Sequence, residues 1–176
     1  MPIIITGLDS ATNLFIDEAG TWSANHYCPA YVRRYPFFTV TLENAGNPAG
    51  EALICVDEGA LVGGVDNLID ASGQPTAAWR EFEVLITEMD REQRATERFC
   101  QSIDELDLFE PFDADFHPRG KRPVRVGGLL RVNEQRLLKL EESVQVSLLR
   151  DGHLARIYAH LLSLENFNRL LDRYVD

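Results

Sequence analysis

Arg33 and Arg34 stand side by side in AYVRRYPFFTVTL, residues 30–42, directly before Pro36 and an apolar, β-branched run. A guanidinium carries a fixed positive charge and a planar fork of donors, which suits a carboxylate, a phosphate or a sugar acid. Tyr35 follows with a phenol, and Asp57 and His160 supply a carboxylate and an imidazole that could converge on the same guest. Two readings of the arginines are open. In the first, Arg34 pairs with Asp57 where two strands leave the core, fixing their register more than adding stability. In the second, Arg33 or Arg34 is left free to bind an anionic small molecule. Arg33, Arg34, Tyr35, Asp57 and His160 are therefore the candidate ligand-binding residues.

Other chemistry-bearing residues form no set. His153 and His160 are seven apart, whereas metal ligands on one helix sit three or four apart. His160 within YAHLLSL is expected to hydrogen-bond inside a helical core. His26 and Cys28 lie two apart without a second pair of ligands. Ser163 is expected to cap the last helix. The chain contains no G-x-S-x-G, phosphate-loop or dinucleotide motif. No catalytic residue, metal or cofactor is expected, and the reading leans away from an enzyme.

These groups must be positioned by strands first and helices after. PIIIT and NLFID, residues 2–6 and 13–17, read as strands. YPFFTVTL and EALICVD read as an antiparallel hairpin joined by ENAGNPAG. Pairing Leu42 with Glu51 sets Phe38 opposite Cys55 and Asp57 opposite Pro36. Period-two alternation then puts Arg34 on the face of Asp57 and Arg33 on the other. From Thr76 the apolar spacing becomes helical through Trp79, Phe82, Leu85, Ile86 and Met89. Phe99, Ile103 and Leu106 resume it after an interruption near Asp90. FEPFDADFHPRGKRP, with its prolines, is expected as surface loop. VRVGGLLRV is one more strand, with Gly127 and Gly128 marking a bulge or a close backbone approach. Asn133 caps a short helix through Leu140, Ser143 begins another that stops at Gly152, and two more follow. The predicted class is α+β, an antiparallel sheet from the N-terminal half packed against C-terminal helices, in one domain over residues 1–176. NLFIDEAGTW and NLIDASGQPTAAW, residues 13–22 and 67–79, are expected to be two turns built alike.

Composition bounds the partners. Against 17 basic side chains the chain has 28 acidic ones, a net charge of −11. That argues against nucleic acid and anionic membrane, which need clustered Lys or Arg. Three widely spaced cysteines are not a disulfide scaffold. No stretch approaches the ~18 apolar residues of a membrane span. With no basic leader at the start, the chain is expected in the cytoplasm. GGVDN, residues 63–67, reads as a turn.

The order of NLFIDEAGTWSANHYCPAYVRRYPF resembles the SapC family, in which Asn13, Leu14, Phe15, Gly20, Trp22, Pro29, Arg33, Arg34, Tyr35, Pro36 and Phe37 match the family pattern. CVDE at residues 55–58, the Asp70 and Gly73 turn, GLLRVNEQRLLKL and GHLARIYAHLLSLENFNRL extend the similarity over nearly the whole chain. The resemblance implies an accessory protein associated with surface-layer or envelope biogenesis and export, with a protein partner in that machinery and no defined chemistry. It also keeps open a carbohydrate or small-molecule role in outer-membrane nutrient uptake. Members usually carry a further N-terminal strand, so a short form is expected here. The PIIIT strand would then be an exposed edge inviting a homodimer.

Overall fold

The expected hairpin forms, but its strands run on into the segment expected as its loop, with Asn44 paired to Asn47. In the computed structural model, which describes residues 1–9, 11–44, 47–60 and 68–175, β1 (Phe37–Asn44) and β2 (Asn47–Val56) are antiparallel. Leu42 faces Glu51 and Phe38 faces Cys55, the pairing on which the expected positions of Arg34 and Asp57 rest. The turn expected at residues 63–67 lies outside the described residues.

The chain divides into two compact units, residues 27–95 and residues 1–26 with 96–176. The first holds α1 (Ala30–Arg33), the hairpin, a 3-10 turn at Glu58–Ala60 and the first part of α2 (Ala77–Glu105). Phe37 is buried, 4.7 Å from the Phe82 ring and 5.6 Å from the Trp79 ring. The interruption expected near Asp90 does not occur, because residues 77–105 contain no Gly or Pro and nothing stops the helix. Nor does the extended segment reach back to Arg34. Pro29 opens a helical turn in which the Arg33 and Arg34 amides donate to the carbonyls of Pro29 and Ala30. Proline's fixed φ suits the entry to a helix.

The second unit holds the end of α2, a second hairpin and the last four helices. Residues 2–6 are not a strand. Their β-branched side chains favour one, but a strand needs a partner, and among the described residues the backbone bond there runs from the Leu14 amide to the Thr6 carbonyl. NLFID is reduced to a single bridge between Ile16 and Trp22. The expected surface loop at residue 109 is instead β3 (Phe109–Phe116), paired with β4 (Val124–Val132). Its prolines read as loop, yet Pro111 fits a two-stranded ladder, where each strand is an edge. From Phe112 its side chains alternate between partly buried and exposed, ending on buried Phe116. The bulge is where the glycines placed it: Phe112 faces Leu129 while Ala114 faces Val126, and Gly128 has φ +75°.

Asn133 caps α3 (Glu134–Leu137) by accepting the Arg136 amide at 2.9 Å. This helix ends before the expected Leu140. α4 (Glu142–Arg150), α5 (His153–Ser163) and α6 (Asn166–Val175) follow. Gly152, at φ +70°, separates α4 from α5. Ser163 does not cap α6; its hydroxyl donates back to the His160 carbonyl at 2.6 Å, a bond available one turn earlier in its own helix. Ile103, Leu108, Val132, Leu137, Leu148 and Ile157 form one core cluster, and Leu8, Phe116 and Leu170 a second. The class is α+β, with its antiparallel pairing divided over two ladders.

Candidate functional site

The helical turn of α1 decides what the two arginines touch. Residues three apart share a helix face, and the Arg34 guanidinium lies 4.2 Å from the centre of the Tyr31 ring. Arg33 lies 5.5 Å from the Tyr27 ring and donates to the Tyr27 hydroxyl at 3.3 Å. Both contacts are cation–π in type. Asp57 takes its bonds elsewhere. Its Oδ2 accepts the Tyr35 hydroxyl at 3.3 Å, its Oδ1 accepts the Gly59 amide at 3.0 Å, and its own amide donates to the Pro36 carbonyl. The expected Arg34–Asp57 ion pair is therefore absent among the described residues. Tyr35, one residue on, occupies the place that alternation assigned to Arg34. The Asp57 charge, helped by burial and by the shared hydrogen bond, raises the Tyr35 pKa above the ordinary phenol value.

Neither guanidinium has a carboxylate within ion-pair distance among the described side chains. Tyr27, Tyr31 and Tyr35 are exposed by 72%, 70% and 62%. A nine-residue stretch thus presents three tyrosines and Arg33 to solvent, with Arg34 half-buried beside them. Tyr27 and Tyr31 escape a reading based on strand alternation, although the helical spacing of Tyr31 and Arg34 would have found one of them.

His160 belongs to the other unit, on α5. Its Nε2 accepts the Val132 amide at 3.2 Å, as expected of a core histidine. Partial burial lowers its pKa below the ordinary histidine value. Accepting at Nε2 requires the neutral ring with its proton on Nδ1. Arg33, Arg34, Tyr35 and Asp57 are thus grouped in residues 27–95, and His160 is not part of that unit.

Two carboxylates of the second hairpin are paired within its ladder. Glu110 accepts from Arg131 at 2.7 Å and from Asn133, and these two bonds hold its pKa low. Asp113 accepts from Arg125 and from the Gly128 amide, which lowers its pKa in the same way. Arg173 lies over Phe15 at 4.6 Å and donates to the Leu14 carbonyl. Among the described residues no three His, Cys, Asp or Glu side chains are grouped to hold a metal ion. Among them also, no helix is long and apolar enough to cross a membrane.

The same unit contains a partly open cavity of about 590 Å³, lined by residues 1–5 and by residues of α2, β3, β4, α5 and α6 that include His160. Sequence reasoning missed it, because its walls come from segments far apart in the chain, among them one expected as surface loop and one expected as an edge strand.

Compared with known proteins, the chain matches the family model described as SapC over residues 1–170. No curated protein and no solved structure matches it.

Proposed function

The chain belongs to the SapC family, and from that premise we propose that it is a non-catalytic accessory protein of surface-layer or cell-envelope biogenesis, working from the cytoplasm. It engages a protein partner through the tyrosine–arginine cluster of residues 27–35. The observation that carries this reading is the exposure of Tyr27, Tyr31 and Tyr35 beside Arg33 and Arg34. Tyrosine and arginine dominate binding hot spots, because each combines a large apolar face with a directed polar group. Stacking on tyrosine holds each guanidinium while leaving it without a carboxylate, ready for one supplied by a partner.

A photo-crosslinking residue at position 31, introduced in the native host, tests the reading. It should capture an envelope or export component, and the Arg33→Glu/Arg34→Glu variant should lose that adduct. Capture of the same component by the charge-reversed variant would remove the role of the cluster. The unpaired guanidiniums also favour a second reading, a site for an anionic sugar or another small acid. Thermal-shift screening separates the two, since a small ligand at about 100 times its Kd adds roughly 2.7 kcal/mol of apparent stability. Self-association is a further proposal. Among the described residues each ladder has two strands, so each strand presents an edge, and sedimentation at micromolar concentration reads the mass.

A further inference from the structure

The cavity in the unit of residues 1–26 and 96–176 is chemically one-sided. At about 590 Å³ it lies within the roughly 300–1,000 Å³ of small-molecule sites. Phe109, Phe112, Leu129, Leu164 and Phe167 wall it, with Phe112 and Phe167 ring centres 5.8 Å apart. No Asp, Glu, Lys or Arg side chain lines it among the described residues. Ile3, Ile4 and Leu130, exposed by 63%, 65% and 59%, also belong to the lining, so the cavity is continuous with apolar surface.

The polar groups in the lining differ in what they can offer. The Ser163 hydroxyl donates its proton to the His160 carbonyl and can otherwise only accept. Asn166 is solvent-exposed, and the Cys100 thiol is a weak donor. His160 has Nε2 occupied by the Val132 amide. Its proton is therefore on Nδ1, which has no partner among the described residues. Protonating Nε2 would set a donor against the Val132 donor, so this imidazole resists becoming a cation. The charged group in the lining is the Met1 ammonium, on a residue 66% exposed and so screened by water; beside His160 a carboxylate would meet no compensating charge, and an unpaired buried charge is strongly disfavoured.

We infer that the cavity binds a neutral, largely apolar molecule whose carbonyl or hydroxyl oxygen accepts a hydrogen bond from His160 Nδ1–H. This site is separate from the tyrosine–arginine cluster and does not depend on it. It also removes His160 from the set of residues suited to an anion.

The test is calorimetric titration of the full chain at pH 8 with 2-decanone and with decanoate, alongside the ¹⁵N resonances of the His160 ring. The ketone should bind saturably at one per chain, at least about tenfold tighter than the carboxylate, and should shift the Nδ1 resonance. His160→Phe should weaken ketone binding about tenfold, the size of one lost hydrogen bond. Leu130→Trp, at an exposed position, should block the cavity, and it carries the test if His160→Phe does not fold. Absence of ketone binding would overturn the inference. So would tighter binding of decanoate, or ketone binding unaffected by Leu130→Trp.

Discussion

His160 and Asp113 show how single side chains become fixed by one backbone amide each. Because the His160 pKa is lowered in the fold, an unfolded chain gains a proton below about pH 6.5 that the folded chain does not take up. Folded-state stability contributed there is complete above that pH and is lost as the pH falls toward the lowered value. Glutamine can still accept the Val132 amide but does not titrate. The melting-temperature gap between wild type and His160→Gln should therefore shrink from pH 7.5 to pH 5; a constant gap would contradict the assignment. At the bulge, Gly128 sits at φ +75° and its amide donates to Asp113. A Cβ on Gly127 would approach Asp113 Oδ1 to 2.8 Å. Gly128→Ala should cost about 1–2 kcal/mol in denaturant unfolding from the left-handed backbone alone. The glycine pair was visible in the sequence; the carboxylate that closes on it was not, since Asp113 stood in a segment read as loop.

Among elements, the two similar turns are the clearest case of local sequence acting alone. Asp17 Oδ1 accepts the amides of Ala19 and Thr21, and Asp70 Oδ1 accepts those of Ser72 and Gln74. Gly20 has φ +79° and Gly73 φ +80°. Each turn closes an isolated bridge, Ile16 with Trp22 and Ile69 with Pro75. The motif lies once in each unit, so its geometry is set by Asp and Gly spacing whatever surrounds it. Gly20→Ala and Gly73→Ala should each destabilise their own turn by about 1–2 kcal/mol, read as faster amide exchange at Thr21 or Gln74. The aromatic partners do not repeat: Trp22 stacks on Phe15 at 5.5 Å, while Trp79 meets Phe37 edge-on. Only the turn itself was legible as a repeat. For α1, the same spacing of Arg34 and Asp57 that suggested a cross-strand pair is broken by one helical turn, which moves Arg34 from period two to period 3.6.

At the scale of the molecule, apolar burial is uneven. The core clusters belong to residues 1–26 and 96–176. Among the described residues of the other unit, the buried side chains are Pro29, Phe37 and Ile86. Local opening is easiest where buried apolar contacts are few. Amides around Ile103, Leu137 and Ile157 should therefore exchange on the order of tenfold or more slowly than those of β1 and β2, by hydrogen exchange with mass spectrometry. Equal protection would mean that the hairpin unit is held by contacts other than side-chain burial.

By itself the sequence determined what depends on near neighbours: the first hairpin and its register, the capping of α3, the helical stripes, the glycine bulge and the paired Asp–Gly turns. Tertiary structure alone decided what depends on residues far apart in the chain. It decided that residues 2–6 stay out of a strand, that β3 becomes one by pairing with β4, and that His160 spends its acceptor on Val132. Local dihedral preference and side-chain period act over a few residues, whereas a hydrogen-bond partner or a cavity wall is supplied by packing.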